Sequence, residues 1–134
     1  MTRGSVAARW AVRAAALSTM SCGSGGPIDH DLGSLVTIVQ GIYGQVYSVS
    51  DVCPAGTCPE TAVSVDLTVT GNALASPATV RSAGRLGFYE LALPVGDFEI
   101  CAPEGLQHCT SFSVSAGARQ RRDLEYGLLG GFWH

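Results

Sequence analysis

Val63, Val65, Leu67 and Val69 alternate without a fault against Ser64, Asp66, Thr68 and Thr70. A two-residue period places one set of side chains on each face of an extended strand and does not build the apolar stripe of a helix. The same period recurs from residue 35 onward. Val36, Ile38, Ile42 and Val46 share one parity, and Tyr89, Leu91 and Leu93 alternate with Glu90 and Ala92. Phe98 and Ile100 alternate with Asp97 and Glu99, and Phe112, Val114 and Ala116 with Ser111, Ser113 and Ser115, while Leu124 and Tyr126 close the set. Turn residues separate the runs: Gly71-Asn72, Gly84, Pro94-Val95-Gly96, Pro103-Glu104-Gly105 and Ala116-Gly117. The expected fold is all-β, an antiparallel sandwich of about seven strands over residues 35–127. An apolar tail, 128–134, either packs back on the sandwich or docks on a partner.

The N-terminus reads as an address. Arg3, Arg9 and Arg13 precede a short apolar stretch, Ala14 to Leu17, and small residues lead to Ser21-Cys22. A basic region, an apolar region and small residues describe an export signal over residues 1–21. Ser21-Cys22 resembles the lipobox of bacterial lipoproteins, which implies fatty-acid attachment, palmitate included, at Cys22 and a membrane partner reached through that lipid. The alternatives are an ordinary secretory signal cut near Cys22, giving a secreted or periplasmic domain, and a soluble alanine-rich helix. Residues 22–34 read as a flexible tether, opening with Gly23-Ser24-Gly25-Gly26-Pro27. Asp29-His30-Asp31 falls in this tether and is expected to be solvated rather than metal-binding. Without residues 1–21 the chain carries five arginines and eleven acids, a formal charge of −6. Such a balance argues against nucleic acid as a partner.

The chain has five cysteines. Setting Cys22 aside leaves Cys53, Cys58, Cys101 and Cys109, an even set that reads as two disulfides in an exported domain. Of the three connectivities, Cys53–Cys58 and Cys101–Cys109 keep each bridge local. Placing Cys101 opposite Cys109 across a hairpin sets Phe98 opposite Phe112, with both phenylalanines on the inner face and both cysteines on the outer one. The spacings, four and seven residues between thiols, fit neither a redox pair nor a zinc knuckle. No metal or cofactor is expected.

Two stretches carry a resemblance. Ile42-Tyr43-Gly44-Gln45-Val46 and Gly87-Phe88-Tyr89-Glu90-Leu91-Ala92-Leu93-Pro94-Val95-Gly96-Asp97-Phe98-Glu99-Ile100 resemble carboxypeptidase regulatory-like domains, whose pattern is I-x-G-x-V followed by G-x-Y-x-L-x-L-P-x-G-x-Y-x-I. Phe98 stands at the last tyrosine. The resemblance implies a prealbumin-like (transthyretin-like) Greek-key sandwich and a non-catalytic module of an exported protein. In the second stretch Pro94 and Gly96 are expected to make a tight turn, with Tyr89, Leu91 and Leu93 facing Phe98 and Ile100.

Related sandwiches carry chemistry that this sequence does not repeat. Adhesin repeats cross-link lysine to asparagine, and this chain has no lysine. Intradiol dioxygenases hold iron with two tyrosines and two histidines, whereas His30, His108 and His134 form no cluster with the tyrosines in sequence. There is no Gly-x-Ser-x-Gly elbow. Asp97 and Glu99 read as surface acids, and Arg119, Arg121 and Arg122 as a solvated loop. The expected function is therefore not that of an enzyme. It is a lipid-anchored cell-envelope module, structural or binding an unidentified protein or glycan. The alternative is a secreted carbohydrate-binding module, for which Tyr43 and Tyr47, on the parity opposite Ile42 and Val46, are the candidate ligand-facing residues.

Overall fold

A computed structural model describes residues 27–53, 56–103, 109–127 and 130–134. The lipid candidate Cys22 and the signal 1–21 lie outside the described residues. Every regular element among those described is a strand, and the strands form two sheets.

The first sheet is organised by β1 (Gly41–Val49), which is buried on both faces through most of its length. Ile42 and Val46 enter the core, and Gln45 and Tyr47 on the opposite parity are also buried. On one edge β1 pairs antiparallel with β5 (Phe88–Ala92) and, further along, with β2 (Glu60–Ala62). On its other edge it pairs in parallel with β8 (Arg119–Arg121) and then β9 (Leu124–Gly127). Gly41 lies opposite Arg119 and Val46 opposite Leu124. The offset is the same, so β8 and β9 are one strand path interrupted at Arg122 and Asp123. An antiparallel hairpin joins β9 to β10 (Gly130–Trp133).

The second sheet runs β4 (Ala78–Arg81), β3 (Asp66–Gly71), β6 (Gly96–Cys101), β7 (Cys109–Val114), all antiparallel. Phe98 lies opposite Phe112 and Cys101 opposite Cys109, the register expected from a bridge across the hairpin. The two phenylalanine rings stack with centroids 5.5 Å apart. Disulfides join Cys53 to Cys58 and Cys101 to Cys109. Between the sheets lies a core of Ile42, Val46, Leu67, Val69, Tyr89, Leu93, Phe98, Ile100, Phe112, Val114 and Leu124. The architecture is that of a β-sandwich.

Three expectations are corrected. First, among the described residues ten short strands stand where about seven were expected. The faultless run at 63–70 is one reason: residues 60–62 pair in the first sheet, and 66–71 pair in the second. The crossing between them is held by buried Ser82. Its hydroxyl donates to the Val63 carbonyl at 2.7 Å and accepts from the Val65 amide at 2.9 Å. Second, the arrangement is not wholly antiparallel, because the chain leaves β7 for the first sheet and enters it running alongside β1. Third, Pro94-Val95-Gly96 is not a hairpin turn. β5 is already paired with β1, so the chain crosses there to the other sheet. Tyr89 and Leu93 share the core between the sheets with Phe98 and Ile100 rather than lying on a strand paired with theirs.

The interruption between β8 and β9 explains Gly44. The Arg122 amide donates to the Tyr43 carbonyl at 2.9 Å, and the Arg122 carbonyl passes over residue 44. A Cβ there would sit 1.8 Å from that oxygen. The buried Tyr89 hydroxyl donates to the same oxygen at 2.6 Å. Gly87 answers a similar demand. Its φ is +64°, and a Cβ would sit 2.1 Å from the Val46 carbonyl oxygen.

Two predictions follow from this packing. Gly44→Ala forces backbone apart in the core and is expected to cost about 2–3 kcal/mol, read as a lowered urea midpoint with an unchanged slope. Replacing Cys101 and Cys109 together by alanine should cost about 2–3 kcal/mol on the loop-closure estimate, measured the same way.

Candidate functional site

The outward parity of β1 would ordinarily be wet. Here the segment 28–32 lies across it, within the stretch expected as a tether, and Leu32 is only 1% exposed. A polar network fastens the two together, and it is the densest set of side-chain hydrogen bonds among the described residues.

Gln45 is its centre and is 0% exposed. A buried amide is tolerable only when its donors and acceptors are matched. The Gln45 side-chain NH2 donates to the Asp29 carbonyl at 3.2 Å and the Leu86 carbonyl at 3.0 Å. Its oxygen accepts from His30 Nδ1 and from Arg121 Nη2 at 3.4 Å. The two carbonyls fix which end of the amide is nitrogen. The Gln45 backbone amide, which a continuous partner strand would have paired, instead donates to Asp123 Oδ1 at 3.0 Å.

Asp123 also accepts from Arg121 Nε, at 3.2 and 3.0 Å from its two oxygens. Arg121 Nη2 donates to the His30 carbonyl at 2.9 Å. Arg121 is therefore not solvated as expected; it braces the docked segment. On the far side Glu60 Oε1 accepts from His30 Nε2 at 2.9 Å and from the Ile28 amide at 2.8 Å.

The His30 ring meets Tyr47 edge-on, with centroids 5.0 Å apart. Tyr47 is 8% exposed, and its hydroxyl donates to Glu125 Oε1 at 3.1 Å. His134 Nε2 approaches the same oxygen at 3.1 Å. Burial first, then the charges of Glu125, Glu60 and Asp123, push the Tyr47 phenol well above its ordinary range, so it stays a neutral donor. For His30, burial works against the charged form, but the hydrogen bonds to Gln45 and Glu60 and the charges of Glu60 and Asp123 outweigh it. Its pKa is raised.

The sequence-derived candidates divide as follows. Tyr43 is half-buried on the outer parity of β1. Tyr47 is buried and committed to Glu125, so the two tyrosines do not form an open stacking surface. The segment 28–32 covers the face on which such a surface was expected. Cys101 and Cys109 are bonded to each other beside Glu99, so their sulfurs are not free to join it in holding a cation. Of the tail, Trp133 packs against the core as part of β10 while Phe132 remains exposed.

Gln45, His30, Glu60 and Asp123 were not anticipated as a group. The available signals were an amide at the centre of an apolar strand and Ile28 and Leu32 flanking the acidic triplet. The partners lie between 15 and 78 positions away from Gln45 along the chain, so no local pattern joins them.

A concavity lies along the open side of the sandwich, where β7 is an edge strand. It carries Asp97, Glu99 and Ser113 from the second sheet and Gln120 and Arg122 from the first. Ser113 donates to Asp97 there at 2.6 Å.

Comparison with known proteins found no matching family model, no matching curated protein and no matching solved structure.

Asp123→Ala leaves the buried Gln45 backbone amide and Arg121 Nε without their acceptor. It is expected to cost about 2–3 kcal/mol in urea unfolding. Asp123→Asn, which keeps one oxygen for the amide, should cost less.

Proposed function

We propose that this chain is a non-catalytic β-sandwich module of a bacterial cell envelope, held to the membrane by lipid on Cys22 and presenting its second sheet to a protein partner. The observation that carries the reading is the cysteine pairing. Four cysteines close two local bridges, the usage of an oxidising compartment, and Cys22 remains as the odd one behind an export-like sequence. The resemblance to regulatory-like domains adds the expectation of a non-catalytic accessory role, carried by Gly44, Gly87 and Tyr89 at positions where the packing demands those residues.

The docked segment gives the module an orientation. From Cys22 to Ile28 the chain spans six residues, at most about 20 Å when extended. The network on β1 sets where that span begins on the sandwich, and the reading takes the first sheet as the side nearer the attachment. The concavity beside β7, with Asp97, Glu99, Gln120 and Arg122, then lies away from the point of attachment and is the proposed contact surface for the partner.

Expression of the full chain in a bacterium fed an alkyne fatty acid should label the protein, and Cys22→Ser should abolish both the label and its sedimentation with membranes. A Cys22→Ser protein that partitions to membranes like the parent would remove the lipid-anchor reading.

A further inference from the structure

His30 confronts acceptors at both ring nitrogens. Nε2 faces the Glu60 carboxylate at 2.9 Å, and Nδ1 faces the Gln45 side-chain oxygen. The oxygen assignment is not arbitrary, because the Gln45 nitrogen is occupied by two carbonyls. A neutral imidazole has one N–H and one bare lone pair, so it can satisfy only one of these acceptors. The imidazolium satisfies both.

We propose that His30 is a proton-gated clasp: as imidazolium it fastens residues 28–31 onto the outer face of β1, and on losing its proton it gives up one of its two ring hydrogen bonds and loosens them.

The surroundings favour this gating from every element packed against the ring. Glu60 on β2 and Asp123 between β8 and β9 supply negative charge. Among the described residues Arg121 on β8 is the neighbouring cation, and its charge is engaged by both oxygens of Asp123. Tyr47 on β1 is a neutral phenol held by Glu125 on β9. Within the segment itself, Asp29 and Asp31 accept the amides of Asp31 and Gly33 and lie at the surface. The His30 side chain is 40% exposed, so solvent protons reach it without prior unfolding.

The sign follows from linkage. A histidine whose pKa is raised in the closed state stabilises that state fully below the free value of about 6.5. The stabilisation is lost as the pH rises through the raised value. Opening frees four residues, 28–31, up to buried Leu32. It lengthens the reach of the preceding chain by about 13 Å. The clasp involves only described residues, so it stands or falls independently of lipid on Cys22.

The test is nitrogen and amide NMR on the full chain between pH 5.5 and 9. At pH 5.5 both His30 ring nitrogens should report as protonated. The protection factor of the Ile28 amide should fall several-fold as His30 titrates, with a midpoint above that of a free histidine, while the Leu67 and Ile100 amides stay protected. Glu60→Gln should lower the midpoint. His30→Gln should make Ile28 protection independent of pH. A bare His30 nitrogen at pH 5.5 would overturn the proposal. So would Ile28 protection that is flat across the His30 titration, or loss of protection at Leu67 and Ile100 in step with Ile28. Should either variant fail to fold, the parent titration decides alone.

Discussion

The structure turns on one short break in a strand. Between β8 and β9 the chain stops pairing regularly with β1 for two residues, and each serves a different side of the sheet. Arg122 sends its carbonyl inward over Gly44 to the Tyr89 hydroxyl. Asp123 sends its carboxylate outward to the Gln45 amide and to Arg121. The core and the polar face are thus fixed by adjacent peptide units. A buried carbonyl and a buried amide that lose ladder partners must find others, and the partners found here determine the positions of Tyr89 and Gln45. Through Gln45 they determine His30 and the whole docked segment.

Much of the sandwich was legible because its information is local. Period-two alternation located the apolar faces of β3, β6 and β7, and placing Cys101 opposite Cys109 across a hairpin, with which parity agrees, set Phe98 opposite Phe112. What escaped was the assignment of strands to sheets. Residues 63–70 read as one run, yet only 66 onward pair in the second sheet while the stretch just before them, 60–62, pairs in the first, and the agent of the crossing is Ser82, well downstream. The Pro94–Gly96 turn has the composition of a hairpin, but β1 had already claimed β5. Competition among strands for edges is settled by the whole fold, and a turn residue does not record it.

The candidate site was less legible for the same reason. Asp29-His30-Asp31 carries every local sign of a solvated linker: charge, flanking glycine and proline, no period. Its docking depends on Glu60, Gln45 and Arg121, contributed by three different strands. Tyr47 shows the converse. Its parity was read correctly, but parity does not say whether a second layer covers that face, and the covering layer turned out to be the supposed linker.

The placement of the two disulfides has a mechanical meaning. Each closes a short loop, and neither joins the first sheet to the second. A pull on the chain ahead of residue 28 would first meet hydrogen bonds to Glu60, Gln45 and Arg121. These can be peeled one at a time, whereas the parallel pairing of β1 with β8 and β9 further along must be sheared as a unit. The covalent bridges would shorten the extended chain only by the residues inside their own loops. Such a module has a soft first extension ahead of a stiffer sandwich.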